Sequence, residues 1–310
     1  RDGSEVYVTI GNDPSDPQLV ITDLLPHLGR EQGKKPLNEA IPSESLNILM
    51  GSRPEADDDG KDRVKLSVLR LLNEKYGIVE EDFISAELEA VPAANARDIG
   101  LDRSMIGAYG HDDRVCAYAE LAAIFDAKSP RKTAVCIFAD KEEIGSDGAT
   151  GASSRFFEYC VQDMIAAWEP QTSFSTVMLA ARALSGDVHA AVDPDWQDLH
   201  EKLNSALIGH GPCFCKFTGS RGKYGANDAN PEYIGWLRGI LDKREIPWQM
   251  AELGKVDAGG GGTVALFLAA YGMSVIDMGP ALLGMHSPFE LSSTADLYAT
   301  KLAYQTFLEN

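Results

Sequence analysis

The sequence predicts an α/β protein: a three-layer sandwich with a central, mostly parallel (mixed) sheet over residues 96–310, and a smaller α+β domain over residues 1–95. Three observations lead there. From about Ala96 onward, short continuous apolar runs alternate with segments of helical periodicity, the pattern of strands buried on both faces between covering helices. Before that point the texture is different, with short β-type runs, a turn-rich linker and a single amphipathic helix. The 310 residues, 44% apolar and 24% charged, suffice for one large core or two moderate ones.

In the first segment, EVYVTIG (Glu5–Gly11) and QLVITDLL (Gln18–Leu25) read as short strands around the turn-rich NDPSDP. The acidic block Glu55–Asp62 reads as a solvated loop, because its spacing does not match a calcium-binding loop. Arg63–Tyr76 has helical periodicity, with Val64, Leu66, Val68, Leu71 and Leu72 on or near one side. FISAELEAV (Phe83–Val91) returns to strand alternation.

In the second segment, Val115–Ala127 is expected as a helix, Thr133–Ala139 as a buried strand and Ser153–Trp168 as a helix. TVMLAARAL (Thr176–Leu184) reads as a strand, as do Cys213–Cys215, WQMAEL (Trp248–Leu253) and MSVIDMG (Met273–Gly279). Pro231–Lys243 is a helix with Pro in its first turn, and Thr263–Tyr271 and Leu297–Leu308 complete the helices. In sheets of this kind the site lies beyond the carboxyl ends of the strands.

Composition excludes several classes. A net charge of −19 and a pI near 4.7 argue against nucleic-acid binding, which needs clustered Lys and Arg. No unbroken apolar stretch of ~20 residues is present; Thr263–Met285 comes nearest and is interrupted by Asp277 and Pro280. Neither a basic-plus-apolar leader nor a membrane span is read, and a cytoplasmic protein is expected. Five cysteines in apolar runs are odd in number and too sparse for a disulfide framework. Cys213 and Cys215 form a C-x-C that reads as buried filler on one face of a strand rather than as a metal pair.

Four stretches place acids or His where a strand ends or a helix begins. In GHDDRVC, Asp112 and Asp113 precede a helix and could serve simply as its cap. In FADKEEIGSDGATG, a strand delivers Asp140, Glu142 and Glu143 into a Gly-rich loop. Three acids there repel one another unless a cation neutralises them, and the loop lacks the GK[ST] ending of a phosphate cradle. Adjacent Glu142 and Glu143 suit a division of labour, one binding metal and the other moving protons. Asp187 ends a strand in LSGDVHAAVDPDW, with His189 two residues on reading as a core histidine; His286 follows a strand in IDMGPALLGMHSPFE. Together Asp112, Glu143, Asp187 and His286 form an oxygen-rich set with one imidazole, about the mixture two divalent ions need.

The runs DKEEIGS (Asp140–Ser146), Ser185-x-Asp187, DAGGGGTVA (Asp257–Ala265) and MHSPFE (Met285–Glu290) occur in one order. With ARDIGLDRSMIGAYGHDDRVCAY and DLLPHLGREQ, they make the whole chain resemble the M18 zinc aminopeptidases, aspartyl aminopeptidase-like and of bacterial type. The resemblance implies two Zn2+ ions per site, replaceable by Co2+ or Mn2+. Asp112 would bridge them, Glu143 and Asp187 would each bind one, and His286 would complete the set. It implies that Glu142 is the general base, taking a proton from the attacking water and passing it to the leaving amine. Substrates would be peptides with a free N-terminus, and the family's name suggests Asp or Glu there. Residues 1–95 would be most of the family's inserted dimerisation domain, in an enzyme that forms dimers and dodecamers. His27 would reach a neighbouring subunit's site, and Lys216 and Tyr224 would lie among the substrate contacts.

One feature departs from the family. An early H-T-D-S-P-like motif that supplies another zinc-binding His does not occur, and the chain opens on RDGSEVYVTIG without Met. The expectation is therefore a chain from which the first part of the catalytic domain is absent. The alternative to an active aminopeptidase is a catalytically incomplete fragment or assembly subunit.

Overall fold

The computed structural model describes residues 3–56, 60–219, 221, 224–225, 227–255 and 257–310, and its framework separates into two units, Arg1–Ala93 and Ala94–Asn310. Asp57, Asp58 and Asp59 of the acidic block lie outside the described residues.

In the first unit, β1 (Val20–Ile21) pairs antiparallel with β2 (Ile48–Leu49). Between them lies a single helical turn, α1 (Leu37–Ala40). The expected amphipathic helix is present as α2 (Arg63–Tyr76). It ends where Gly77 adopts φ +73° and donates its N–H to the Asn73 carbonyl, a left-handed stop that glycine makes without strain. Glu5–Gly11 joins no ladder among the described residues, and Phe83–Val91 opens inside a 3-10 turn, Glu80–Ile84. Asp82 accepts from the Val79 N–H at 2.8 Å, and this local carboxylate–amide bond competes with strand pairing. No described residue of this unit is buried. Tyr7, Leu28, Leu37, Ile84 and Leu88 lie in solvent.

The second unit opens with β3 (Arg97–Ile99), β4 (Met105–Ala108) and α3 (His111–Asp126), followed by α4 (Phe156–Trp168) and α5 (Phe174–Ala180). Next come β5 (Arg182–Ser185), β6 (His189–Ala190), β7 (Cys213–Cys215), α6 (Pro231–Asp242) and β8 (Gln249–Met250). The unit closes with α7 (Ala265–Ala269), β9 (Ser274–Gly279), β10 (Ala281–Leu283), β11 (Glu290–Ser293) and α8 (Thr294–Glu309). The strands form two mixed sheets, β3-β4-β11-β10-β6 and β5-β9-β7-β8.

The α/β class is as the sequence predicts. Pairing is parallel in β5/β9, β7/β8 and β6/β10, and antiparallel in β7/β9, β10/β11, β11/β4 and β4/β3. Two of the antiparallel pairs come from short returns: residues 100–104 between β3 and β4, and 284–289 between β10 and β11, are too few for the crossover that parallel neighbours require. Helices α3, α6 and α8 cover the β5-β9-β7-β8 sheet, with Ala119, Leu237, Leu241 and Tyr304 in one buried cluster with Phe214, Ile276 and Met278. Cys213 and Cys215 are free and buried on β7, as filler should be.

Two elements differ from expectation. Residues 133–139 pair with no strand among the described residues, and Val135, Ile137 and Phe138 are 45%, 44% and 54% exposed. An apolar β-branched run needs a neighbouring strand to become a buried one, and among the described residues β5 pairs only with β9. Thr176–Leu184 splits into the end of α5 and most of β5. Ser173 caps α5 by accepting from the Thr176 N–H at 3.2 Å, and Met178, Leu179 and Ala180 are good helix formers.

Candidate metal and catalytic site

Asp112 owes its position to the turn into α3. Gly110, at φ +66°, is the N-cap residue and supplies no side-chain cap; Asp112 and Asp113 depart from helical angles and are joined by a cis peptide. Asp112 does not act as the helix cap, and its carboxylate faces His286, with Oδ2 2.9 Å from Nε2. The Gly-rich loop brings in Glu143 on a single 3-10 turn, Glu142–Ile144, entered through Lys141 at φ +66° and left through Gly145 at φ +103°. Glu143 Oε1 lies 3.2 Å from the same Nε2. Asp140 instead accepts from the Thr150 hydroxyl at 2.8 Å, a bond that closes the loop.

Three segments distant in the chain thus place one imidazole nitrogen and two carboxylates with ligand atoms within 4.8 Å of one another. They open on a cleft of about 610 Å3 that is also lined by Glu142, Asp187, Asp277 and the glycines Gly259–Gly262. Gly259 and Gly260 form a wall that admits no side chain: a Cβ on Gly260 would meet the Gly219 carbonyl oxygen, and one on Gly259 the Leu253 carbonyl oxygen. No Lys or Arg lines the cleft among the described residues.

The acids are correspondingly perturbed. Burial, then Glu143, then Glu290 and Asp113 push Asp112 up to about 7, with His286 pulling the other way. Burial raises Glu142, and Glu143 and Asp113 add to it. Asp187 is held well above the carboxylate range by burial, then by Asp112, Asp277 and Glu142. Asp277 is 4% exposed, and burial lifts it to about 6, with the neighbouring Ser185 and Thr263 side chains pulling the other way. Buried carboxylates this close call for a cation, and a His with carboxylates is a donor set that Zn2+ accepts. The residues present therefore fit a divalent metal.

Asp187 and Glu142 share the cleft with the three clustered residues. His189, as expected, is a satisfied core residue, buried on β6 with Nε2 3.1 Å from the Ala251 carbonyl. Lys216 pairs with Asp228 and sits 4.0 Å over the Phe217 ring, and Phe217 lines the cleft. Tyr224 is exposed, and a Cβ on the adjoining Gly225 would come within 3.8 Å of Leu266, which lines the cleft. His27 is exposed on a turn of the first unit. Two acids escaped the sequence reading. Asp277 registered only as an interruption of an apolar stretch, and Glu290 only as the last letter of MHSPFE. Glu290 is buried and accepts the N–H groups of both Asp112 and His286.

Fold and donor set together define an α/β protein with a candidate divalent-metal centre. The chain belongs to the M18 peptidase family: the family model described as aminopeptidase I zinc metalloprotease matches residues 1–308. A probable M18 family aminopeptidase 1 from Clostridium acetobutylicum is 52% identical over 312 residues, covering 100% of this chain and 67% of the relative. Its counterpart from Thermotoga maritima is 48% identical, covering 100% of this chain and 68% of the relative. The crystal structure of a Thermotoga maritima M18 aminopeptidase superposes with a TM-score of 0.94 at 48% identity, over 99% of this chain and 68% of that one. That of aminopeptidase I from Clostridium acetobutylicum gives 0.92 at 52%, over 100% and 67%. The chain is an M18 metalloaminopeptidase spanning about two thirds of these relatives.

Proposed function

We propose that Asp112, Glu143, Asp187 and His286 hold two zinc ions and that Glu142 is the general base that releases the N-terminal residue of a peptide. The observation that carries this is the convergence of Asp112, Glu143 and His286 in an acidic cleft without Lys or Arg among its described residues. Asp187 supports a second ion because it lines the same cleft and is raised in part by Asp112; Asp112 would then be shared. Bound zinc supplies Lewis acidity and eases deprotonation of water, and Co2+ or Mn2+ would serve the same donors.

Glu142 stands beside Glu143 but is felt by Asp187 and Asp277, deeper in the cleft. Burial raises it toward neutrality, which suits a group that takes a proton from the attacking water and returns it to the leaving amine. The wall Gly259–Gly262 leaves room for a peptide backbone at close approach. Lys216, beside Phe217, is a cation at the cleft's edge that would favour an acidic N-terminal residue in exchange for Asp228. Tyr224 joins it as a substrate contact, and His27 would act on a neighbouring subunit's substrate.

Self-association fits a first unit with no buried residue among those described and many exposed apolar side chains, surface that a partner copy would cover. We assign residues 1–95 to dimerisation, with dimers assembling into a dodecamer. No helix among the described residues is long and apolar enough to cross a membrane, and a cytoplasmic location is proposed with the free cysteines in mind. A second reading, an assembly subunit with an incomplete centre, draws on the fact that three donors rather than a full two-metal set lie within mutual reach among the described residues. Metal analysis together with Glu142→Gln separates the two. Two zinc ions and loss of turnover in the variant support the enzyme; one ion or none, with no turnover in the unaltered chain, supports the subunit.

A further inference from the structure

Glu290 is the first residue of β11, and register sets it opposite Ala108, the last residue of β4. From Ala108 the chain turns through Gly110 directly into Asp112. In the other direction Glu290 follows His286 by four residues. One side chain therefore stands between the two segments that carry clustered donors. It is 2% exposed, and it spends one oxygen on each segment: Oε1 accepts from the His286 N–H at 2.7 Å and Oε2 from the Asp112 N–H at 3.1 Å. Two amide donors satisfy a buried carboxylate in its charged form.

The His286 backbone needs this support. Its φ is +64°, a left-handed conformation that costs a non-glycine residue on the order of 1–3 kcal/mol. The rest of the loop is closed locally, by Ser287 donating its hydroxyl to the Phe289 carbonyl and its N–H to Gly284. Among the described residues, only the Glu290 carboxylate hydrogen-bonds to both the His286 and Asp112 amides.

We propose that Glu290 is a positioning residue that sets the separation of Asp112 and His286 and lends the centre a buried negative charge, so fixing its affinity for a divalent cation without being a ligand. This rests on the metal-site reading above. The ligand oxygens of Asp112 and the ring of His286 are aimed by backbones that Glu290 ties to one another across the β4–β11 pair. Partners that orient ligands in this way affect metal affinity about 10–100-fold.

The test compares zinc affinity, by competition with a chromophoric chelator, in the unaltered chain, Glu290→Gln and Glu290→Asp, together with the visible spectrum of each loaded with Co2+. Gln keeps the length but offers one acceptor oxygen and no charge; its amide NH2 faces the second N–H. Expected are zinc binding at least about tenfold weaker in Glu290→Gln, altered cobalt bands, and an intermediate affinity in Glu290→Asp. Affinity within twofold of the unaltered chain and an unchanged cobalt spectrum in Glu290→Gln would overturn the proposal and leave the metal-site reading standing. An unaltered chain that binds no zinc overturns both. If Glu290→Gln does not fold, amide hydrogen exchange in the metal-free unaltered chain decides. Slow exchange at both Asp112 and His286 supports the clamp, and exchange at the rate of open amides at both overturns it.

Discussion

His286 Nε2 lies 2.9 Å from Asp112 Oδ2, and the two residues come from opposite ends of the second unit's sequence. The contact brings a strand-connecting loop against the irregular start of α3. No hydrophobic packing demands it: the His286 side chain is 62% exposed. An exposed imidazole held between two carboxylates is arranged for a cation.

Removing that imidazole separates metal binding from folding. His286→Ala is expected to lower zinc affinity at least about tenfold while costing the metal-free chain only about 1 kcal/mol, since the imidazole is 62% exposed but sits between two carboxylates. Thermal denaturation with and without zinc checks both halves.

Glu142→Gln is expected to retain zinc and lose turnover by a factor of about 10²–10⁴, the usual worth of a general base. Steady-state kinetics on a chromogenic N-terminal amide, alongside metal content, measures it. Unchanged kcat would remove Glu142 from the mechanism.

The buried acids set a pH dependence of stability. Burial raises Glu120 to about 7, with the Cys136 thiol donating to it at 3.6 Å and pulling the other way. A carboxyl raised in the folded state contributes stability that is complete below its unfolded pKa and lost as pH rises through the folded value. Asp277, raised to about 6, acts in the same direction. The metal-free chain is therefore expected to lose stability between about pH 4.5 and pH 7.5. Glu120→Gln should flatten that slope by up to about 3 kcal/mol, 1.36 kcal/mol for each pKa unit. Urea denaturation at pH 5 and pH 8 reads the difference.

Gly260→Ala tests the cleft wall. Gly260 sits at φ +89°, and an added Cβ would come within 2.2 Å of the Gly219 carbonyl oxygen, so the backbone must move. A loss of about 1–3 kcal/mol is expected, along with a raised KM as the wall shifts.

Periodicity made α2 legible to the residue, and Pro231 behind Asn230 located the start of α6, because helix phase and caps are local properties. Residues 133–139 and 176–184 were misread because whether an apolar run becomes a strand depends on a neighbour, and whether it becomes a helix depends on a cap such as Ser173. The site was legible in its letters but not in its convergence. Spacing along the chain carries no information on the contact between Asp112 and His286, which depends on the β4–β11 register; family motifs supplied what spacing lacked. Glu290 and Asp277 were hidden for the same reason, as their roles follow from neighbours across the sheets.

Asp112, Glu143 and His286 are proposed above to hold a metal ion. Anomalous diffraction at the zinc edge, from crystals of the chain grown with zinc, tests it most directly. A peak is expected about 2.0–2.2 Å from His286 Nε2 and from an oxygen of both Asp112 and Glu143. A cleft without anomalous signal, or a zinc ion held instead by Cys213 and Cys215, would contradict it.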